Sequence, residues 1–139
     1  MKLSPAAELA IRGVSVLAQE YGRGPVSISQ VCRRRKLARQ YLVKIFGILS
    51  RAGLIVPVRG KRGGYMLARR PGDITLLEVI ETVEGPIALN LCQYLPPRCE
   101  ELNCPLRPVW RDLQEKVRRT LGSVTMDRCA GAHRGTRQA

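Results

Sequence analysis

Histidine is almost missing from this chain of 139 residues, with His133 the sole example. Without a second histidine or a paired-carboxylate constellation, hydrolytic and acid–base catalysis lack a foundation, and the sequence does not read as an enzyme. Long apolar runs are missing as well. None approaches the ~18 residues needed to cross a bilayer, and the opening Met1-Lys2-Leu3-Ser4-Pro5 has no secretory apolar stretch. The expectation is a cytoplasmic protein with no membrane association and no small-molecule substrate. Acidic residues are scarce, 11 against 24 Lys+Arg, for a net charge of +13. Self-repulsion on that scale calls for a polyanionic partner, nucleic acid ahead of a membrane surface. No Cys-x-x-Cys pair occurs, although there are five cysteines. An odd count argues against a secreted disulfide scaffold; in a reducing compartment, clustered cysteines point instead to metal or redox chemistry.

What is present organises the chain. A hydrophobic fraction of 45% is ordinary for one folded domain with a single modest core. Ser4-Pro5 opens a first helix, Ser at the N-cap and Pro at the first helical position. Its apolar face is expected at Ala6, Leu9, Ala10, Gly13, Leu17 and Tyr21, and Gly22 and Gly24 end it. Ser27 and Gln30 have capping-box spacing and start a short second helix. A third, over 39–52, buries Leu42, Ile45, Phe46 and Leu49 and stops at Gly53. Two helices joined by a few residues form a helix-turn-helix. Leu54–Val58 and Tyr65–Leu67 read as paired strands around the turn 59–64. Thr75 and Glu78 open another helix that ends at Gly85-Pro86, the cysteine-bearing stretch 88–104 reads as a loop, and a long helix covers 105–121. That last helix lines up Leu106, Val109, Trp110, Leu113, Val117 and Leu121, a stripe that must pack on the domain or on a partner. No internal repeat is present. The fold class is mainly α with a small β-hairpin wing.

The second helix of a helix-turn-helix enters the major groove and offers its N-terminal residues to base edges. Here these are Arg39, Gln40, Tyr41, Val43 and Lys44. Gln40 suits adenine, and Arg39 or Lys44 suits guanine or a phosphate. Arg51 and Ser27 complete the helical candidates. The hairpin tip carries Arg59, Lys61 and Arg62 between Gly60, Gly63 and Gly64, which are expected to adopt positive φ. An arginine there suits a narrow minor groove, and Tyr65 a phosphate. Double-stranded DNA is therefore the expected partner. The run Arg33–Lys36, taken alone, is as well explained by a solvated face.

Cys92, Cys99 and Cys104 fall within thirteen residues, six residues separating the first pair and four the second. Three thiolates in one loop suit zinc or an iron–sulfur cluster. Structural zinc favours four ligands and tighter knuckles. A trio of free thiols is the remaining alternative. Cys32 is read as core, Cys129 as a stray thiol and His133 as inert.

The motifs resemble those of the Rrf-type winged-helix regulators, the iron–sulfur family that includes IscR-like and NsrR-like proteins. The resemblance rests on Met1-Lys-Leu-Ser4, Gly24-Pro25-Val26-Ser27, Tyr41-Leu42, Ala52-Gly53-Leu54, Val58-Arg59-Gly60 with Gly63-Gly64-Tyr65, Ile74–Glu78, Glu84-Gly85, the cysteine loop and Trp110, and it covers about residues 1–128. It implies a homodimer whose long C-terminal helices cross, bound to a pseudo-palindromic operator. It also implies that Cys92, Cys99 and Cys104 are cluster ligands. IscR-like members complete a 2Fe–2S site with a histidine where this chain has Arg107, which cannot ligate. NsrR-like members complete a 4Fe–4S site with a carboxylate on the partner's first helix, where this chain has Glu8; a variant with a histidine on that helix is excluded by Arg12. A 4Fe–4S cluster is thus favoured, with 2Fe–2S second. Glu8 is equally an acid that suits a helix N-terminus. Ala38 departs from the serine that commonly caps the recognition helix, and the Arg33–Lys36 turn is more cationic than the family pattern. The implied organisation is a winged helix-turn-helix over 1–86, a cysteine loop over 87–104, a dimerisation helix and a short terminal helix over 105–130, and a disordered basic tail over 131–139. The implied function is a repressor sensing redox, nitric oxide or iron–sulfur status. A cluster-free regulator answering to thiol oxidation or a protein partner, and an iron–sulfur carrier or assembly factor, are the alternatives.

Overall fold

The computed structural model describes residues 2–131. Helix α1 runs Pro5–Gln19, with the Ser4 hydroxyl accepting from the Ala7 N–H at 3.1 Å. Its entry is also fixed from afar: the Ser4 N–H donates to Glu84 Oε1 at 2.6 Å. Ala7, Ala10, Gly13, Val14, Val16, Leu17 and Ala18 are all buried. The single stripe expected from the sequence is therefore too narrow. Ala6 and Leu9 lie at its margin, packed on the core while only partly buried, and Tyr21 lies beyond the helix end, exposed. The helix is packed by other helices on more than one side, which leaves only Pro5, Glu8 and Arg12 exposed along it.

Helix α2 (Ile28–Arg35) has the expected reciprocal cap: Gln30 N–H donates to Ser27 Oγ at 3.1 Å, and Ser27 N–H to Gln30 Oε1 at 2.8 Å. Lys36 ends it in the left-handed region, φ 53°. Three residues later α3 begins and runs Arg39–Arg51, burying Leu42, Ile45, Phe46 and Leu49 as expected. Ala38 supplies no side-chain cap. Phe46 sits at the junction of α1 and α3, so close to Gly13 that a β-carbon there would lie 2.6 Å from its ring.

Strands β1 (Ile55–Val58) and β2 (Gly64–Leu67) pair antiparallel, Ile55 opposite Leu67 and Val58 opposite Gly64. The segment entering α2 joins them through a bridge between Val26 and Tyr65, with N–H···O distances of 2.9 and 2.8 Å. Positive φ is found at Gly60 (113°) and Gly64 (156°). Gly63 does not share it; its glycine is required because a β-carbon would fall 2.2 Å from the Val58 carbonyl oxygen. Gly64 is more constrained still, a β-carbon there lying 2.3 Å from the Val26 carbonyl oxygen. Backbone cannot yield as a flexible side chain does, so Gly64→Ala is expected to destabilise the fold by about 3 kcal/mol, combining overpacking with left-handed strain. Urea denaturation at unchanged m-value measures it.

Helix α4 (Leu76–Glu84) is capped by Thr75, whose Oγ1 accepts from the Glu78 N–H at 3.1 Å. The second half of the predicted capping box is replaced by a longer-range contact, for the Glu78 carboxylate pairs with Arg69. Beyond the cysteine loop, α5 spans Arg107–Gly122 and starts two residues later than expected. Helix α6 (Met126–Gly131) packs back across α1, its Met126 fully buried and its first N–H bonded to the Ile74 carbonyl at 2.9 Å. Cys32 and Cys129 are half-buried against the core, and burial pushes the Cys129 pKa up. The expected disordered tail lies outside the described residues apart from Gly131, as does His133. Among the described residues no helix is long and apolar enough to cross a membrane.

Candidate nucleic-acid interface and cysteine loop

The core-facing stripe of α3 dictates what the opposite face presents. Arg39, Gln40, Tyr41, Val43 and Lys44 are all exposed, Tyr41 at 55%. Gln40, Lys44, Gly47 and Arg51 recur at helical spacing along one outer line. Gly47 leaves that line flat, with Arg51 Nη1 coming only within 3.5 Å of where its β-carbon would be. Arg51 stands at the helix C-terminus, where a cation is also favoured by the macrodipole. Arg39 is held by a hydrogen bond from Nη1 to Ser29 Oγ at 2.8 Å, tying the first residue of α3 to α2. Arg59, Gly60, Lys61 and Arg62 are exposed at the hairpin tip, and among the described residues none of the three cations is ion-paired. Helix and wing thus present unpaired cations on protruding elements, as a duplex interface requires.

Two candidates carry a structural duty besides. Tyr65 is half-buried, its ring edge-on to Phe46 at 5.0 Å and 74°. Ser27 is half-buried in its capping box. Its hydroxyl proton is still free of that bond, in which the oxygen accepts.

The cysteine loop is tied down locally. Asn90 Oδ1 accepts from the Leu91 N–H at 2.9 Å and starts a 3-10 turn, Leu91–Gln93, that holds Cys92. The Arg98 N–H returns to the Leu91 carbonyl at 2.9 Å, and its guanidinium lies 4.0 Å over the Tyr94 ring. Gln93 Nε2 stands 3.3 Å from Cys92 Sγ. At the far end the Arg107 N–H donates to the Cys104 carbonyl at 3.2 Å, and Arg107 Nη2 to the Glu101 carbonyl at 3.1 Å, while its Nε is buried without a partner. Cys92, Cys99 and Cys104 are all half-exposed. Their donor chemistry suits a soft metal, but in this arrangement of the loop the three are not gathered as one set. Among the described residues, no three His, Cys, Asp or Glu side chains are grouped closely enough to hold a metal ion. Glu8 is exposed in the first turn of α1.

Helix α5 buries none of its residues. Leu106, just before it, and Val109 are more than half exposed, and Trp110, Leu113, Val117 and Leu121 are half-covered. It is anchored through Arg118 to Glu81 and through Gln114 Oε1, which accepts from the Leu89 N–H at 3.3 Å. In the loop, Leu95 and Leu102 are 92% and 75% exposed. An apolar surface of that extent on loop and helix together is a mark of an interaction face.

A family model described as Rrf2, iron-dependent transcriptional regulator, matches residues 3–131. The transcriptional regulator IscR of Xenorhabdus nematophila is 31% identical over 127 residues, covering 91% of this chain and 77% of that protein. The transcriptional regulator CymR of Bacillus subtilis is 30% identical over 140 residues, covering 100% of this chain and 96% of the other. The solved structure of CymR, described as the global cysteine regulator of B. subtilis, superposes with a TM-score of 0.83 over 95% of this chain and 98% of that one, at 28% identity. That of T. potens IscR does so at 0.81 over 100% and 93%, also at 28% identity.

Proposed function

The chain belongs to the Rrf2 family of transcriptional regulators, and on that footing we propose that it binds a pseudo-palindromic operator as a homodimer and reads cellular redox state through its cysteine loop. The observation that carries DNA binding is the continuous exposed line of Gln40, Lys44 and Arg51 on α3 beside the unpaired wing cations Arg59, Lys61 and Arg62. In this reading α3 lies in the major groove with Arg39, Gln40, Tyr41 and Lys44 toward base edges, and the wing follows the minor groove. Ser27 and Tyr65 add phosphate contacts from the flanks. The half-covered stripe of α5 is the dimer seam, which supports crossing helices and a two-fold operator.

The sensory group is proposed to be the thiol set Cys92, Cys99 and Cys104. Likeness to IscR and to a family described as iron-dependent supports an iron–sulfur cluster, 4Fe–4S ahead of 2Fe–2S, because Arg107 cannot ligate. Glu8 of the partner subunit is then the candidate fourth ligand. A second reading is favoured by a specific observation: the three thiols are not gathered, and the chain resembles CymR over its whole length. There the half-exposed thiols answer to oxidation directly, without a cluster. The relatives are named as transcriptional regulators, which favours these two readings over the carrier or assembly-factor alternative.

One experiment tests both levels. Protein purified without air is analysed for iron and sulfide, then titrated against a duplex it has selected from a random pool. Binding should weaken about 10³–10⁵-fold between 50 and 200 mM salt if six to ten phosphates are neutralised. Failure to select any duplex, or affinity indifferent to salt, overturns DNA binding. Iron and sulfide in the protein, with affinity changing on their loss, support the cluster. Their absence, with affinity changing on thiol oxidation and returning on reduction, supports the second reading. Affinity that ignores both treatments overturns the loop as sensor.

A further inference from the structure

A second cationic surface lies off the recognition helix. The turn after α1 and the outer face of α2 enclose an open groove of about 440 Å³, lined by Glu20, Arg23, Pro25, Gln30, Arg33 and Arg34. Arg34 is committed, its Nη1 2.9 Å from Glu20 Oε1 and its Nη2 2.6 Å from Gln19 Oε1. Arg23 and Arg33 are exposed, and among the described residues neither has an ion-pair partner. Arg35 sits on the same helix, with its own pKa lowered by burial and by Arg34 and Arg12. One glutamate faces at least three guanidinium groups, and the groove is left net positive.

Its place in the fold says which anion fits. On one side the groove reaches Val26, the residue bridged to Tyr65 of the wing strand. On the other, the turn of α2 that carries Arg33 follows the turn that carries Ser29, to which Arg39 at the start of α3 is bonded at 2.8 Å. The groove therefore joins the wing base to the recognition-helix N-terminus in one cationic surface. A duplex seated on α3 has its backbone beside the helix that precedes it, and an arginine fork matches phosphate in geometry as well as charge.

We propose that Arg23 and Arg33 clamp a backbone phosphate of the operator outside the stretch read by α3 and the wing, a contact that adds affinity without sequence preference. This rests on the DNA-binding function above. It also gives the charge run of α2 a task that a merely solvated face would not have.

The test compares wild type, R23A/R33A and R23K/R33K as full-length protein on two duplexes. One is the minimal selected site, and the other carries one further helical turn, about 10 base pairs, on each flank. Arg23 and Arg33 are exposed, so thermal melting should be unchanged in all three proteins. On the longer duplex R23A/R33A should bind about tenfold more weakly, and its slope of log affinity against log salt should shrink by about 0.9, for the one phosphate no longer neutralised. Base preference should be that of wild type, and R23K/R33K should keep most of the slope. Equal affinity and slope for wild type and R23A/R33A on both duplexes would overturn the clamp while leaving DNA binding by α3 and the wing intact. So would a loss of base preference, which would place these arginines among the reading residues. If wild type selects no duplex at all, the function itself fails, and the clamp with it.

Discussion

Replacing Arg59, Lys61 and Arg62 together by alanine is expected to cost about 10²-fold in operator affinity at roughly 0.15 M salt, and to reduce the salt slope by about 2.7, at 0.9 per neutralised phosphate. The three side chains are exposed at the hairpin tip and without ion pairs among the described residues, so their loss touches no packing. The melting temperature should stay within the small range of surface substitutions. Binding isotherms over a series of salt concentrations measure the slope directly. The alternative in which the wing only props up α3 gives another signature. Affinity would then fall with the slope preserved, because the same number of phosphates would still be neutralised. A single exposed charge on α3, such as Lys44, should show about a third of the slope change, provided it touches a phosphate and not a base.

Phe46→Ala is expected to remove about 3–5 kcal/mol of stability, the usual cost of emptying a fully buried aromatic site. Phe46 is 0% exposed and its ring meets two other elements at once: Gly13 of α1 and, in a T-shaped arrangement, the ring of Tyr65 on β2. Small domains hold about 5–15 kcal/mol in total, so the variant should melt far below wild type and populate unfolded chain at growth temperature. The effect on function should go beyond stability. Phe46 couples the recognition helix to the wing strand through Tyr65, so a folded fraction of the variant should also bind duplex less tightly. Urea denaturation followed by aromatic fluorescence or circular dichroism gives the first quantity. Titration at low temperature, where the variant is folded, gives the second. A loss of less than 1 kcal/mol would mean that the site collapses to fill the void and that Phe46 is not the pivot assigned to it.

Both expectations draw on features that were legible in different degrees. The wing was legible because its signals are short-range. Three cations and three glycines within six residues, preceded by the β-branched Ile55, Val56 and Val58 and followed by Tyr65-Met66-Leu67, admit little else than an exposed hairpin tip. The α2 cap was legible for the same reason: Ser27 and Gln30 are three residues apart and satisfy one another without outside help. The stripe of α3 was legible because one face of that helix is wet. The full buried surface of α1 was not, since coverage by several helices widens it well beyond one stripe and leaves only Pro5, Glu8 and Arg12 exposed. The second half of the Thr75 cap failed similarly, when Arg69 captured the Glu78 carboxylate. Gly63 and Gly64 look alike in sequence. Their different demands, one for space beside Val58 and one for space beside Val26 together with positive φ, exist only once the strands and the α2 entry have met.

The candidate sites divide along the same line. Donor types and charges were set by composition: three thiols in a loop, cations on a helix and a hairpin. Which of them come together followed from the path of the chain. Arg23 and Arg33 share a groove because the turn after α1 folds against α2, and Glu84 reaches Ser4 across eighty residues. Cys92, Cys99 and Cys104 are not gathered as a set of three, and local bonds from Asn90, Arg98 and Arg107 hold the loop that carries them. Helix caps, turns and periodic faces arise from interactions within a few residues, so the elements and the sign of the surface can be read from the chain alone. Burial and ion pairing, like the convergence of side chains, are gained only after distant segments have given up their conformational freedom together, so they belong to the folded whole.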